Sequence, residues 1–241
     1  MRDVIYWTPL ATDFEESYIS VRAKEERVYT DEQVVALPLV SDNDIQYREW
    51  KMRGVTAQKF ISYLDTKTFK TALDLGCGNG WFTNMIADKV KSVIGLDINE
   101  TELKQGNRVF KNSSLSFAYG DIFKADITQK FDLITLNASV QYFSDLETLF
   151  SRLKTLLNPK GEIHILDSPF YKSQTDAAEA KQRSRKYFTE QKELGMIENY
   201  HHHTLEDVSS FEIQSKPSSK ILRKLTGKVE SPFKWYKYKG S

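Results

Sequence analysis

The sequence predicts an α/β protein built on a doubly wound, mostly parallel sheet. Between residues 71 and 167, apolar runs of strand length alternate with segments of helical periodicity. The first of these runs leads directly into a glycine-rich turn. Near-continuous apolar strands that alternate with helices are typical of a parallel sheet covered by helices on both faces. A chain of 241 residues is long enough for one such domain with a covering segment.

Hydrophobic spacing and turn signals predict the elements in chain order. Residues 1–45 are mixed in charge and irregular, with one short helix starting at Thr30, and we interpret them as an N-terminal cap. Residues 46–168 form the core, and residues 169–241 hold an inserted helix and a C-terminal hairpin, all within a single domain. The core begins with a helix over 47–64, whose inward positions are Trp50, Val55, Phe60 and Leu64. Further helices are predicted at 81–90, 101–111, 146–157 and 171–193, and strands at 71–75, 92–98, 115–119, 131–137, 162–167, 210–215 and 233–239.

The composition is that of an ordinary globular protein. The formal net charge is +1, so no overall field draws the chain to nucleic acid or to a membrane surface. The one cysteine, Cys77, excludes an internal disulfide and is typical of a reducing compartment. The sequence has no apolar run of signal-peptide or membrane-span length. We therefore expect a soluble, cytoplasmic protein that is a monomer or a homodimer.

The turn after the first predicted strand has the features of a ligand-binding loop. Gly76, Gly78 and Gly80 stand at alternate positions, where glycine permits a sharp turn and a close approach to a ligand. The next helix points its free N–H groups at the same place. A dinucleotide-binding loop requires a small residue at the position of Trp81, so the pattern argues against an NAD-dependent oxidoreductase. Asp74 faces this loop and suits an amine or ammonium group.

Two further acids end the following strands. Asp97 closes the second strand, where a carboxylate is placed to accept hydrogen bonds from both hydroxyls of a ribose. Its alternative role is to cap the next helix. Asp121 closes the third strand and could accept a hydrogen bond from an adenine amino group, with Ile122 or Phe123 against the ring. The alternative for Asp121 is an ordinary turn aspartate after Gly120.

Taken together and in order, five segments resemble the motifs of class I S-adenosylmethionine-dependent methyltransferases. They are ALDLGCGNG at residues 72–80, GLDI at 95–98, GDI at 120–122, FDLITLNA at 131–138 and LLNPKGE at 156–162. The resemblance implies a Rossmann-like sheet of seven strands, five parallel and a C-terminal pair, with the last strand antiparallel. It covers residues 47–167, so it does not identify the acceptor.

The resemblance also implies a site for S-adenosylmethionine and its product, S-adenosylhomocysteine. By analogy, Arg53 on the entering helix would meet the methionine carboxylate, although an exposed salt bridge is an equally good account. The predicted cofactor-binding residues are Trp50, Arg53, Asp74, Gly76, Cys77, Gly78, Asn79, Gly80, Trp81, Asp97, Ile98, Gly120, Asp121, Ile122 and Asn137.

The acceptor is predicted to be a small or medium-sized molecule methylated at oxygen, nitrogen or carbon. Enzymes that methylate base amino groups resemble one another in an N-P-P-Y sequence after the fourth strand, and this chain lacks both prolines at 137–140. Gln141 and Tyr142 follow that strand and are candidate catalytic residues, with packing and helix entry as the alternative. His202 is a third candidate. Three consecutive histidines at 201–203 cannot share one face, so we expect no metal site there.

Two alternatives to this enzyme remain. The fold could bind its cofactor without turnover. Residues 216–239 contain eight basic residues and one acid with interleaved aromatic residues, which could bind RNA, although a final hairpin with outward lysines is the simpler interpretation.

Overall fold

The computed structural model describes residues 3–11, 13–219, 223, 225–227 and 229–241. The strands are β1 Ile5–Tyr6, β2 Thr71–Leu75, β3 Ser92–Asp97, β4 Leu115–Tyr119, β5 Phe131–Asn137, β6 Leu157–Leu166, β7 Glu212–Ser215 and β8 Trp235–Lys239. The helices are α1 Asp13–Lys24, α2 Asp31–Ala36, α3 Tyr47–Leu64, α4 Trp81–Ala87, α5 Glu100–Val109, α6 Leu146–Thr155, α7 Gln174–Glu190 and α8 Leu194–Glu198.

One sheet of eight strands organises the molecule, in the order β1-β4-β3-β2-β5-β6-β8-β7. Strands β1 to β6 pair in parallel, and β8 is antiparallel to both of its neighbours. The strand order changes direction between β3 and β5, which lie on either side of β2. The carboxyl ends of strands at such a switch point form a crevice that is open to ligands.

Helices cover both faces of the sheet, as the alternation of elements predicts. On one face, α3 and α4 bury large side chains such as Phe60 and Phe82 against β2 and β3. On the other face, α6 buries Leu149 and Leu153 against β5 and β6. The predicted doubly wound α/β class is therefore confirmed.

The predicted count of seven strands is wrong by one. The extra strand, β1, pairs with Ala118 and Tyr119 of β4 and lies in a segment that we expected to be irregular. Its two residues are both exposed, so they carry no apolar alternation that a sequence could show. The predicted antiparallel last strand is confirmed in β8.

Two helical regions differ from the predictions, whereas the core helix agrees with them. The N-terminal cap contains a full helix, α1, ahead of the predicted one at Thr30, whose side chain caps α2. The inserted helix predicted over 171–193 is α7, and a second short helix, α8, follows it. The core helix α3 matches its predicted bounds, although Val55 is only half-buried.

The N-terminal segment and the insert meet above the sheet. Glu193, just before α8, accepts hydrogen bonds from Ser20 and Lys24 of α1. The Tyr187 hydroxyl of α7 donates to Glu25 Oε1 at 2.6 Å. The carboxylate of Glu15 in α1 accepts from the Thr101 amide at 2.9 Å, at the start of α5. These contacts hold α1 across the carboxyl ends of the strands.

Candidate functional site

A cavity of about 770 Å³ lies at the carboxyl ends of the parallel strands. Its floor is formed by the ends of β2, β3, β4 and β5, and its opposite wall by α1 and the residues before it. Small-molecule sites typically have volumes of about 300 to 1,000 Å³, and they occur at such switch points. The fold therefore forms a cleft where the sequence predicts a cofactor site.

The glycine loop enters the cavity between β2 and α4. Gly76 has a φ of 73°, and a Cβ atom there would lie 2.4 Å from the Cβ of Ser139. A larger residue would push the loop away from the end of β5. Gly78 donates its amide hydrogen to Asp97 Oδ2 at 2.8 Å, which ties the loop to β3.

Asp97 is held by three backbone amides. Its Oδ1 accepts from Ile98 and Asn99 at 2.7 and 2.9 Å, and its Oδ2 accepts from Gly78 at 2.8 Å. Burial raises the pKa of the Asp97 carboxyl, while these amides stabilise its charged form. A carboxylate has about four acceptor sites, so one remains for a ligand hydroxyl. The helix-cap alternative is not observed, because the side chain of Asn99 caps α5.

Asp74 lies deeper, at the end of β2. It accepts hydrogen bonds from Thr83 at 2.6 Å and from Thr135 at 2.7 Å. Burial raises its pKa to about 6, against the stabilising effect of these two hydroxyls. Asp74 therefore has an acceptor site left for a cationic group at the bottom of the cavity.

Four residues that line the cavity have a buried polar atom without a hydrogen-bond partner among the described residues. The atoms are Arg27 Nε, Arg53 Nε, Asn99 Nδ2 and Asn137 Oδ1. Buried polar atoms are rarely left unpaired, so Asn137 Oδ1 and Arg53 Nε suit a ligand that donates to the first and accepts from the second.

Arg53 is held between two indole rings. Its guanidinium carbon lies 4.7 Å from the Trp50 ring centre and 5.4 Å from that of Trp81. Burial lowers the pKa of this guanidinium, which nevertheless stays charged at neutral pH. Oε1 of Glu49 lies 3.9 Å from Nη1 of Arg53. This ion pair is long, so the guanidinium remains available to an anion in the cavity.

The far end of the cavity is lined by residues that follow β3 and β4. Ile98, Gly120 and Ile122 are among them, and Phe123 is adjacent. Asp121 also lines this end, where its Oδ1 accepts from the Phe123 amide at 2.9 Å and its Oδ2 pairs with Lys124 at 3.0 Å. Asp121 thus makes the turn contact that was given as its alternative role, and its contact with a ligand remains a prediction.

Of the predicted site residues, the structure brings most to this cavity and leaves three outside its lining. Gly80 caps α4 beneath the Phe117 ring. Gln141 turns back to donate to the Ala138 carbonyl at 2.6 Å, whereas its neighbour Tyr142 lines the cavity. Nε2 of His202 lies 3.0 Å from Oγ of Ser184 on α7, and the side chain of His202 does not line the cavity.

Sequence reasoning assigned no ligand role to several other lining residues. The N-terminal segment contributes Phe14, Tyr18 and Arg22, and α5 contributes Glu102. Burial raises the pKa of Glu102 to about 7, and it raises that of Tyr18 and Tyr142 as well. A glutamate in a first helical turn normally complements the helix dipole, so its sequence position gave no signal of a role in the site.

The described residues show neither a membrane span nor a metal site. No helix in the described ranges is long and apolar enough to cross a bilayer. No group of three or more histidine, cysteine, aspartate or glutamate side chains in those ranges is placed to hold a metal ion.

Comparison with known proteins identifies the same region. A family model described as a methyltransferase domain matches residues 67–224, which is more than half of the chain. Malonyl-(acyl-carrier protein) O-methyltransferase of Acetivibrio thermocellus is 33% identical over 100 residues, covering 41% of this chain and 35% of that protein. Trans-aconitate 2-methyltransferase of Deinococcus radiodurans is 32% identical over 127 residues, covering 51% of this chain and 48% of that protein. The chain thus spans about a third to a half of the length of these relatives.

Solved structures share the fold over nearly the whole chain. The N-methyltransferase NodS of Bradyrhizobium japonicum, solved with S-adenosylhomocysteine, superposes with a TM-score of 0.56 at 13% identity. The superposition covers 95% of this chain and 99% of that one. At this identity the likeness concerns the fold, including the N-terminal segment and the insert.

Proposed function

Because this chain belongs to the methyltransferase domain family and has the fold of the class I S-adenosylmethionine-dependent enzymes, we propose that it transfers a methyl group from that cofactor to a small or medium-sized acceptor. One observation carries the proposal. One cavity is lined by the glycine loop, Asp97, Asn137 and Arg53, with α1 across it. The wall formed by α1 favours an acceptor that fits inside the cavity over one that lies across an open surface.

The residues of the cavity fit the chemical groups of this cofactor. Arg53 would bind the methionine carboxylate, since its Nε lacks a partner and its one long ion pair is with Glu49. Asn137 Oδ1 and Asp74 would accept from the methionine ammonium, since both retain acceptor sites. Asp97 would accept from one ribose hydroxyl through the acceptor site that its three backbone amides leave.

The apolar end of the cavity fits the adenine. Ile98 and Ile122 would contact the two faces of the ring, with Phe123 at its edge, and Asp121 would accept from the amino group. Cys77 and Asn79 of the glycine loop and Gly120 after β4 would lie along the same ligand.

When bound, the cofactor supplies a methyl group on a positively charged sulfur that is already a good leaving group. The chain therefore has to align the acceptor with that methyl group and exclude water. Tyr142, just beyond β5, would contact the acceptor. Gln141 belongs to the 3₁₀ turn that carries Tyr142 and donates to the Ala138 carbonyl, so in this proposal it positions that turn. The two neighbours of His202 contact the same turn, because the His201 amide donates to the Gln141 carbonyl at 2.7 Å and His203 Nε2 lies 3.2 Å from the Val140 carbonyl oxygen. In this proposal His202 acts through them, as a positioning residue.

Two alternatives are less well supported. The relative named trans-aconitate 2-methyltransferase favours a small-molecule acceptor. For RNA, the basic strand β8 pairs antiparallel to β6, with Lys239 opposite Glu162, so its end points away from the cavity. Residues 220–222, 224 and 228 of the basic stretch lie outside the described residues.

A binding protein without turnover has the same cavity, and only an acceptor screen separates it from an enzyme.

Calorimetric titration with S-adenosylmethionine, S-adenosylhomocysteine and NAD in parallel tests the proposal. We expect binding of the first two with dissociation constants on the order of micromolar, and none of NAD. Binding of NAD alone would overturn the cofactor assignment. Release of S-adenosylhomocysteine in the presence of small acceptors then separates an enzyme from a binding protein.

A further inference from the structure

One cation of the cavity, Arg22, has no carboxylate oxygen within hydrogen-bond distance among the described residues. The guanidinium of Arg22 lies over the Tyr18 ring, 4.8 Å from its centre. Among the described residues, its one ion pair is with Glu25, at 3.6 Å. The side chain is 23% exposed and lines the cavity. A guanidinium has five N–H donors, so several of them remain available to a ligand.

The other cations of the cavity already have partners or a role. Arg27 makes two hydrogen bonds to Glu49, at 2.9 and 2.6 Å, and one to Gln46 at 2.9 Å. Lys124 pairs with Asp121 at 3.0 Å. Arg53 is assigned above to the methionine carboxylate. Arg22 is thus the cation left for a second anionic group.

The position of Arg22 points to the acceptor rather than the cofactor. The Tyr18 ring beneath it lies 5.7 Å from the Tyr142 ring, in an edge-to-face arrangement. Tyr142, just beyond the end of β5, is the residue proposed above to contact the acceptor. Phe14 adds a third ring, 5.8 Å from Tyr142. The guanidinium therefore stands beside the aromatic wall proposed to contact the acceptor.

Glu102 shares this part of the cavity and would oppose an anion. It forms no ion pair with Arg22 among the described residues, and burial raises its pKa to about 7. Near neutral pH its carboxyl is therefore only partly charged, so it compensates the charge of Arg22 incompletely.

We propose that Arg22 binds a carboxylate group of the acceptor, whose planar body lies against Phe14, Tyr18 and Tyr142. The planar guanidinium fork matches the two oxygens of a carboxylate. Aromatic side chains pack best against flat, unsaturated partners. The inference rests on the proposed function and narrows its acceptor class to planar carboxylic acids.

Benzoate and benzamide form a matched pair of probes, one with a carboxylate and one with a neutral amide. Each is titrated by ligand-observed NMR into protein saturated with S-adenosylhomocysteine. We expect benzoate to bind the wild type at least tenfold more tightly than benzamide. Arg22→Gln should remove this preference, lowering benzoate affinity about tenfold while benzamide affinity stays within about twofold. Arg183→Gln, on the exposed face of α7, is the matched control and should keep the preference.

The outcomes separate the two proposals. Binding of S-adenosylhomocysteine without any preference for benzoate overturns the Arg22 assignment and leaves the proposed function standing. Absence of S-adenosylhomocysteine binding overturns both. If Arg22→Gln does not fold, Arg22→Lys keeps the charge without the fork and should lose part of the preference. An equal loss of affinity for benzoate and for benzamide in a folded variant also overturns the assignment.

Discussion

The indole Nε1 of Trp235 donates a hydrogen bond of 2.8 Å to Nδ1 of His164, inside the sheet. Because Nδ1 accepts, the ring proton is on Nε2, which lies 3.0 Å from Glu162 Oε2. The Tyr63 hydroxyl donates to the same oxygen at 2.6 Å. Burial alone would raise the pKa of Glu162, but its hydrogen bonds with His164 and Tyr63 lower it to about 2. This network joins β8, β6 and α3, so His164 has a structural role.

Replacing Trp235 should destabilise the protein strongly. Trp235→Phe leaves His164 Nδ1 buried without a donor and removes part of a buried ring, so we expect a loss of about 2–4 kcal/mol. Urea unfolding followed by circular dichroism measures it. Tyr238→Phe, on the same strand, is the control and should change stability by less than about 0.5 kcal/mol. A similarly small effect for Trp235→Phe would mean that the hydrogen bond contributes little.

Removing the Asp97 carboxylate should weaken cofactor binding. Asp97→Ala loses the proposed ribose contact and also frees the amide of Gly78, so the glycine loop is held less firmly. We expect affinity for S-adenosylhomocysteine to fall by about tenfold or more, measured by calorimetry. Asp65→Ala, an exposed partner of Lys89, should leave the affinity unchanged. Unchanged affinity in a folded Asp97→Ala protein would refute the ribose assignment.

The stability of the ligand-free protein should depend on the ionisation of Glu102. Its folded pKa of about 7 lies above the value of about 4.3 expected in the unfolded chain. Between these values the folded state keeps a proton that the unfolded state has lost, so stability falls as the pH rises through this window.

Glu102→Gln should remove this pH-dependent cost. Relative to the wild type, the variant should gain about 1–2 kcal/mol between pH 5 and pH 8, a figure that allows for solvent in the cavity. Unfolding midpoints at the two pH values measure the gain. Glu179→Gln, on the exposed surface of α7, should show no such trend. A trend of the opposite sign would show that Glu102 is stabilised as a carboxylate.

Gly106 should be intolerant of alanine despite its helical position. Alanine is normally favoured over glycine in a helix by about 1 kcal/mol. In α5, however, a Cβ at Gly106 would lie 2.4 Å from the backbone oxygen of Asn79 in the glycine loop. We expect Gly106→Ala to lower both stability and S-adenosylhomocysteine affinity, measured by thermal unfolding and calorimetry.

Gly54→Ala in α3 is the matched control for this test. Its Cβ would lie 3.3 Å from the ring atom Cγ of Pro38, which can shift slightly. A change in Gly106→Ala no larger than that in Gly54→Ala would contradict the close approach of α5 to the loop.

The core was predictable because the sequence patterns that indicate it lie within single helices, strands and turns. The bounds of α3 follow from one apolar stripe, and the glycine loop and Asp97 follow from their positions at strand ends. The different placement of Gln141 and Tyr142 was not predictable, since they are neighbours in a 3₁₀ turn, where successive side chains point about 120° apart. The site roles assigned to them remain predictions.

The contribution of the N-terminal segment to the cavity wall was not predictable for another reason. Phe14, Tyr18 and Arg22 form a cavity wall because α1 is held by residues far along the chain, such as Glu193 and Thr101. A segment that packs through such distant contacts shows no pattern of its own. Its composition indicated a cover over the cleft, but not which side chains face inward.

The pairing of β1 with β4 has a consequence for the order of assembly. Ile5 of β1 pairs with Ala118 of β4, so β1 has no partner in the sheet until residues of β4 have been synthesised. Contacts of such sequence separation form late and slow the folding of a chain. Strands β2 to β5 can thus collapse first, and the cavity wall formed by α1 takes shape later.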